Sequence, residues 1–443
     1  MLQTAQDIAT PQKGNGLHYA FVICLGGFLT QVIVLSCQRL PSVALEPIRA
    51  TLGCSYADAG LITSVFMIFY AGLSIVWGML GDKIGTRWAI TLSCGLSALG
   101  AILFGLFAPM GLGVAIVTWA IAGIGTAGLL MAILPKVVSR WFAPNKRGFG
   151  MSLITPGANF SAIILGIVAP IIITSFGWQM GYVIFGIVFA VITIFVAVFF
   201  REGPEEKGLA PFGAPAGTQA APTPTIAEDE VATAASQAGA WDRLKKVLKM
   251  PISWHFGIFY IIYQIGYMAA TQYYVSSIQS VGFDLAEASL AITIGGVLTI
   301  ITELILGNLS DHLERKNIIG VVVALSGVLG LGYFMYLSSV EAPSLFVCYF
   351  FVSLISATTG VITVIMTAAG EYYDDDVRAT GTGFIGTVNL VGRYLGPWIA
   401  GMLIDSTGVV GNSFVIVGIT MIVAAVIAFT FPRKRAKKTK AAA

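Results

Sequence analysis

Charge is what this chain has least of. Only 11% of its 443 residues are Asp, Glu, Lys or Arg, against the roughly 25% that coats an ordinary soluble domain. That scarcity excludes a water-soluble globule of this size, and the abundance of apolar residues excludes a disordered chain. Histidine is nearly absent: His18, His255 and His312 stand far apart, and no Ser–His–Asp or metal-ligand spacing signals an enzyme. The five cysteines, Cys24, Cys37, Cys54, Cys94 and Cys348, include no CxxC pair. All but Cys54 lie in apolar runs and read as structural thiols. The Gly-rich piece Gly123 to Gly128 lacks the preceding strand that a phosphate-binding turn needs, and no nucleotide-binding domain is evident. What is present is 56% hydrophobic residues and a mean hydropathy of +0.85. The apolar runs are solid and long, not short and alternating, so the chain reads as a helical membrane protein rather than a β-barrel. The polar first seventeen residues and the long first apolar run give no sign of a cleavable signal.

Apolar runs between polar breaks give twelve spans, near 18–45, 57–80, 88–108, 112–139, 148–174, 178–200, 252–278, 286–309, 317–338, 344–369, 380–404 and 411–431. Residues 1–200 form one six-helix unit and 251–432 a second, followed by a basic tail, 433–443. Between the units, 201–250 is rich in Ala, Pro and Thr and reads as a largely disordered linker. Its end, Trp241 to Lys249, has the pattern of a short basic amphipathic helix on the membrane surface. Lys83, Arg87, Lys146, Arg147, Arg315, Lys316 and Arg378 all fall in even-numbered connections, whereas only Arg49 sits clearly in an odd one. Positive residues gather on the cytoplasmic side, so both termini are expected there.

An internal repeat sets the architecture. Gly78 to Arg87 reads GMLGDKIGTR and Gly307 to Lys316 reads GNLSDHLERK, with Gly, Leu and Asp each recurring at a separation of 229. A second pair, KRGFG at Lys146 and VRATG at Val377, puts Arg147 and Arg378 231 apart. The segment carrying Gly78, Leu80, Asp82, Lys83, Gly85 and Arg87 matches the G-x-L-x-D-[RK]-x-G-x-[RK] motif, and the chain resembles transporters of the major facilitator superfamily over nearly its whole length. The resemblance implies an all-α fold of two pseudo-symmetric six-helix bundles around a central cavity. It also implies gating roles for Asp82, Arg87, Arg147, Asp311 and Arg378, pairing and separating as the bundles rock.

An ionisable residue inside a membrane costs roughly 2.5–3.5 kcal/mol on insertion scales, so each is a functional candidate. Sorting by depth leaves Arg39, Glu303 and Arg393; Lys136 and Arg140 lie near a span end, where snorkelling explains them. Arg393 reads as an anion-binding residue or as half of a permanent ion pair. Glu303 admits three roles: a proton-coupling acid, a fixed partner of Arg393, or a contact for a cationic group. Oxalate/formate and monocarboxylate carriers of the superfamily bear an Arg four residues before the second Gly, where this chain has Glu303. Gln38 and Arg39, in QRLPSVA, resemble the first-helix pattern of the anion:cation symporter branch, in which the Arg contacts the anion; snorkelling at the membrane face is the other reading of Arg39. Tyr260, Gln264, Tyr267, Thr271 and Tyr274 recur at helical spacing with Tyr263 alongside, forming either a cavity wall of hydroxyl and amide groups or a tyrosine-rich helix interface. Asn389, one turn before Arg393, and Asn159 and Gln31 complete the candidates. The expectation is a secondary transporter of a small organic anion, a carboxylate, by alternating access with proton symport in the inner membrane; the alternative is proton-coupled efflux of an amphiphilic or cationic compound. No cofactor, metal or nucleic-acid partner is expected, and the protein is expected to be monomeric in the bilayer.

Overall fold

A computed structural model describes residues 18–129, 134–214, 241–374 and 376–432, without the side chains of Ile75 and Asp311. The rest of the linker, 215–240, and the basic tail, 433–443, lie outside the described residues. What is described is helical throughout, apart from an isolated bridge between Phe142 and Phe212. This follows from the solvent: a helix satisfies its own backbone groups, and hydrocarbon offers no others.

The first half begins with α1 (Ala20–Val43) and a short α2 (Leu45–Leu52), which bends by 114° into α3 (Tyr56–Gly72). It continues through α4 (Ser74–Ile84), α5 (Thr86–Phe107), α6 (Leu112–Thr126), α7 (Leu134–Trp141), α8 (Arg147–Ile154) and α9 (Gly157–Phe199). α9 holds two spans: Gly177, at φ 83°, turns the chain where an L side chain would be strained. The linker contributes α10 (241–249). The second half comprises α11 (Pro251–Gln279), α12 (Leu285–His312), α13 (Arg315–Ser339), α14 (Leu345–Thr358), α15 (Val361–Glu371), α16 (Arg378–Val388), α17 (Leu390–Thr407) and α18 (Ser413–Phe429).

Seven of the described helices are long and apolar enough to cross a membrane unaided. Of the helices that face the other half, α1, α9 and α12 are among the seven, and α3, α11 and α17 are not. α3/α4, α8/α9, α14/α15 and α16/α17 each break near Leu73, Pro156, Gly360 and Asn389. Side chains add hydrogen bonds to carbonyls at the breaks: Thr155 Oγ1 donates to Met151 O, Thr359 Oγ1 to Ser356 O, and Asn389 Nδ2 to Ile385 O and Gly386 O. α11 is unbroken but carries the tyrosine and glutamine stripe.

The duplication is visible in local chemistry. Ser55 and Asp58 form a capping box at the start of α3, and Asp284 and Glu287 form the same box at α12, each 229 residues on. Arg147 donates to Ser139 O and Arg378 to Gly370 O, the same eight-residue reach in both halves. Within the halves, α5 packs on α9 and α13 on α18. Between them, α3 packs on α17, α9 on α12 and α1 on α11.

The start of the linker is ordered: Phe212 pairs through its backbone with Trp141 and Ala143, and its ring sits among His18, Phe21, Phe142 and Phe149. Glu202, at the head of the same segment, accepts from Thr86 N and Arg87 N at 2.9 and 2.8 Å and from Arg140. An apolar side chain and a helix-capping carboxylate tie this strap down; composition alone did not reveal it.

Candidate functional site

Two polar clusters lie where the halves meet. In the first, Arg393 on α17 reaches across to α1, its Nη2 donating to Gln38 Oε1 at 2.9 Å. Tyr70, near the end of α3, faces both: its ring centre is 5.8 Å from the Arg393 guanidinium carbon, and its hydroxyl lies beside Gln38. Arg393 also interacts with Tyr260 of α11, which neighbours Gln264. Gln38, Tyr70, Tyr260 and Gln264 are all buried. Arg393 Nε, Gln38 Nε2 and the Tyr70 hydroxyl find no well-placed acceptor in the protein, and Gln264 Oε1 no well-placed donor, although Gln38 and Arg393 both approach the Tyr70 hydroxyl closely enough to act on it. A buried unmatched polar group costs about 1–3 kcal/mol, so unmatched groups gathered beside a guanidinium mark this cluster as a candidate binding site.

In the second cluster, Asn159 Nδ2 of α9 donates to Glu303 Oε2 of α12 at 3.2 Å, a contact between halves. Arg39, on the opposite flank of α1 from Gln38, donates to Ala158 O at 3.0 Å and Ser161 Oγ at 3.2 Å. Its charge is felt at Glu303 and at Tyr274. Arg39 is therefore turned inward onto α9 and does not snorkel.

The fixed Glu303–Arg393 pair, one of the three roles open to Glu303, is not what the structure shows. Among the described residues neither closes an ion pair; Glu303 lies against Asn159 and Arg393 against Gln38. The reason is packing: α12 lies on α9 and α14, whereas α17 lies on α3 and α11, so the two charges belong to different helix pairs. Other candidates stay outside the clusters. Tyr263 stacks between Tyr260 and Tyr267 in a ladder of rings, the helix-interface alternative. Thr271 bonds its own helix at Met268 O, and Asn389 serves the α16/α17 break. Gln31 is buried beneath Gly157 with its Oε1 unmatched. Tyr70 was missed because a tyrosine at a span end carries no charge to mark its depth.

On the face that carries the basic connections, the hydrogen bonds seen among the described residues lie within one half or, as for Lys246 with Asp376, join a half to the linker. Asp82 pairs with Lys136 of α7, a residue that snorkelling appeared to explain. The Arg87 guanidinium donates to Ala197 O, Arg147 to Ser139 O and Arg378 to Gly370 O, so these bases close helix ends. The Asp311 side chain lies outside the described residues.

Two pseudo-symmetric six-helix halves, meeting through buried arginine, glutamate, glutamine and tyrosine side chains, define a multi-pass membrane transporter. The chain belongs to the Major Facilitator Superfamily, whose sequence model matches residues 27–361 and 278–443. It is 23% identical over 383 residues to the membrane sensor protein UhpC of Escherichia coli K12, covering 82% of this chain and 81% of that one. It is 22% identical over 426 residues to the hexuronate transporter of Bacillus subtilis 168, covering 92% and 93%. Its fold matches a bacterial homologue of the human lysosomal transporter Spinster, inward-facing and unoccupied, with a TM-score of 0.73 at 16% identity over 94% of this chain and 97% of that one.

Proposed function

We propose that the protein is a secondary transporter of a small hydroxylated organic carboxylate, carried by alternating access with proton symport. The observation that carries this reading is the set of buried donors around Arg393 that find no well-placed acceptor in the protein. A carboxylate supplies oxygens to Arg393 Nε, Gln38 Nε2 and the Tyr70 hydroxyl together, and a guanidinium fork suits it. The unmatched Gln264 Oε1 beside Tyr260 suits a hydroxyl on the same molecule. A hexuronate, the cargo in the name of the B. subtilis relative, is a carboxylate of this kind.

Glu303 carries the proton in this reading. It is the one carboxyl in the two clusters, and it joins the halves through Asn159 while sharing the field of Arg39. Protonation weakens that hold and frees the halves to move, so coupling runs through Arg39 and Asn159 and not through Arg393. The basic face lies in the cytoplasm, and both termini with it.

A second reading, sensing without accumulation, is favoured by the resemblance to UhpC. Purified protein in liposomes separates the two: uptake of glucuronate or a related hydroxy acid driven by a pH gradient supports transport, and binding without uptake supports sensing. Glu303→Gln, a mimic of the protonated acid, is expected to retain counterflow yet lose accumulation driven by the pH gradient. Accumulation at the native level in that variant would remove Glu303 from the proton path.

A further inference from the structure

The two most extensive crossings between the halves, α3 against α17 and α9 against α12, are not held alike. At the start of α3 the capping box of Ser55 and Asp58 satisfies the amide of Asp58 and leaves the first two helical amides open. Asp405, near the end of α17, closes that gap: its Oδ1 accepts from Tyr56 N and its Oδ2 from Ala57 N, both at 2.8 Å. A carboxylate at a helix N-terminus gains from both the amides and the helix dipole.

Contacts on either side belong to the same face, opposite the basic one. The Tyr273 hydroxyl of α11 donates to Pro397 O at 2.9 Å and Tyr56 O at 3.2 Å, and the Ser64 hydroxyl donates to Tyr394 O at 2.7 Å. Gly60 and Gly401 allow the backbones to meet: a Cβ on either would stand 2.7 Å from Pro397 O or 2.5 Å from Tyr56 O. The Arg49 guanidinium covers the Tyr56 ring at 3.2 Å, itself paired with Glu46.

The pseudo-symmetric crossing has no such carboxylate. Thr174 occupies the place that corresponds to Asp405 by the 231-residue offset, and its hydroxyl donates to its own helix at Pro170 O. Asp284 and Glu287 cap α12 from within. Gly166 lies against Ser289 and Thr293, and Thr293 Oγ1 donates to Ile163 O at 3.4 Å across the halves.

We infer that Asp405 is the latch of the face opposite the basic one, completing the amino-terminal cap of α3 across the two halves and biasing the transporter toward the conformation closed on that face. The latch is one-sided: opening there must uncap α3, whereas the α9/α12 crossing carries no carboxylate on helix amides and is held by packing at Gly166, by Thr293 Oγ1 on Ile163 O and by Asn159 on Glu303. This holds whichever solute is carried, so the test needs none.

Spin labels at Ala50→Cys and Ser406→Cys, both exposed on that face, report the separation of the halves by pulsed electron resonance in a background free of native cysteines. With Asp405 intact a short distance dominates. Asp405→Asn raises the long-distance population about tenfold, since a hydrogen bond to a charged group contributes about that much, and Thr174→Ala leaves the distribution unchanged. An unchanged distribution in Asp405→Asn, or an equal rise in Thr174→Ala, overturns the inference. A measurement on the native chain stands beside it: hydrogen exchange at the Tyr56 and Ala57 amides should run about tenfold slower than at Leu285 and Ala286, their repeat-mates. Equal rates at the two helix starts would overturn it without any variant.

Discussion

Arg393 and Gln38 show how little a single charged side chain says until its partner is known. Depth in the sequence marked Arg393 as costly and therefore functional, and its contact with Gln38 Oε1 accounts for one donor only. Arg393→Lys keeps the charge and loses the planar fork; affinity for the carried anion is expected to fall tenfold or more, about 1.4 kcal/mol, with thermal stability nearly unchanged. Tyr70→Phe removes one uncharged donor and is expected to cost about 1 kcal/mol, near fivefold in affinity. Titration of both purified variants by calorimetry checks the order. If Tyr70→Phe weakened binding more than Arg393→Lys, the guanidinium fork would not be the anchor.

Among elements, the broken helices separate structural from binding residues. Asn389 stands one turn from Arg393 and was a binding candidate, yet its amide hydrogens close carbonyls at the α16/α17 break. Asn389→Leu is therefore expected to lower stability by about 1–2 kcal/mol, because a carbonyl left open in an apolar setting costs that much. Anion affinity should stay within about twofold, and a thermal melt with and without anion distinguishes the two effects. Spacing located the face of α17 but could not say whether an amide on it turns to the cavity or back to its own helix. The α11 stripe is the same case: helical period put Tyr263 beside Tyr260 and Gln264, and stacking then buried it in a ladder.

The whole molecule is knit on one face and, in the described hydrogen bonds, held only within each half or to the linker on the other. The Asp82–Lys136 pair is exposed on both sides, so it contributes little to folding, about 0–1 kcal/mol. We propose that it acts in the conformational balance. Asp82→Lys is expected to change the rate of counterflow severalfold with binding affinity held, and Asp82→Lys with Lys136→Asp is expected to recover part of that rate. Counterflow in liposomes at matched protein density tests it; an equal loss in the single and double variants would show that the pair is not the working contact.

Membership of the superfamily, the twelve-span plan, the duplication and the three deep charges were legible in the chain itself, because each depends on local patterns: apolar length, charge at span ends, a motif repeated at a fixed offset. The bilayer enforces these one helix at a time. Which charges meet was not legible. Glu303 finds Asn159, Arg393 finds Gln38, and Asp405 finds the amides of Tyr56 and Ala57, across sequence separations of 144 to 355. Those meetings depend on which faces of the two halves pack together, and only the tertiary structure decides that.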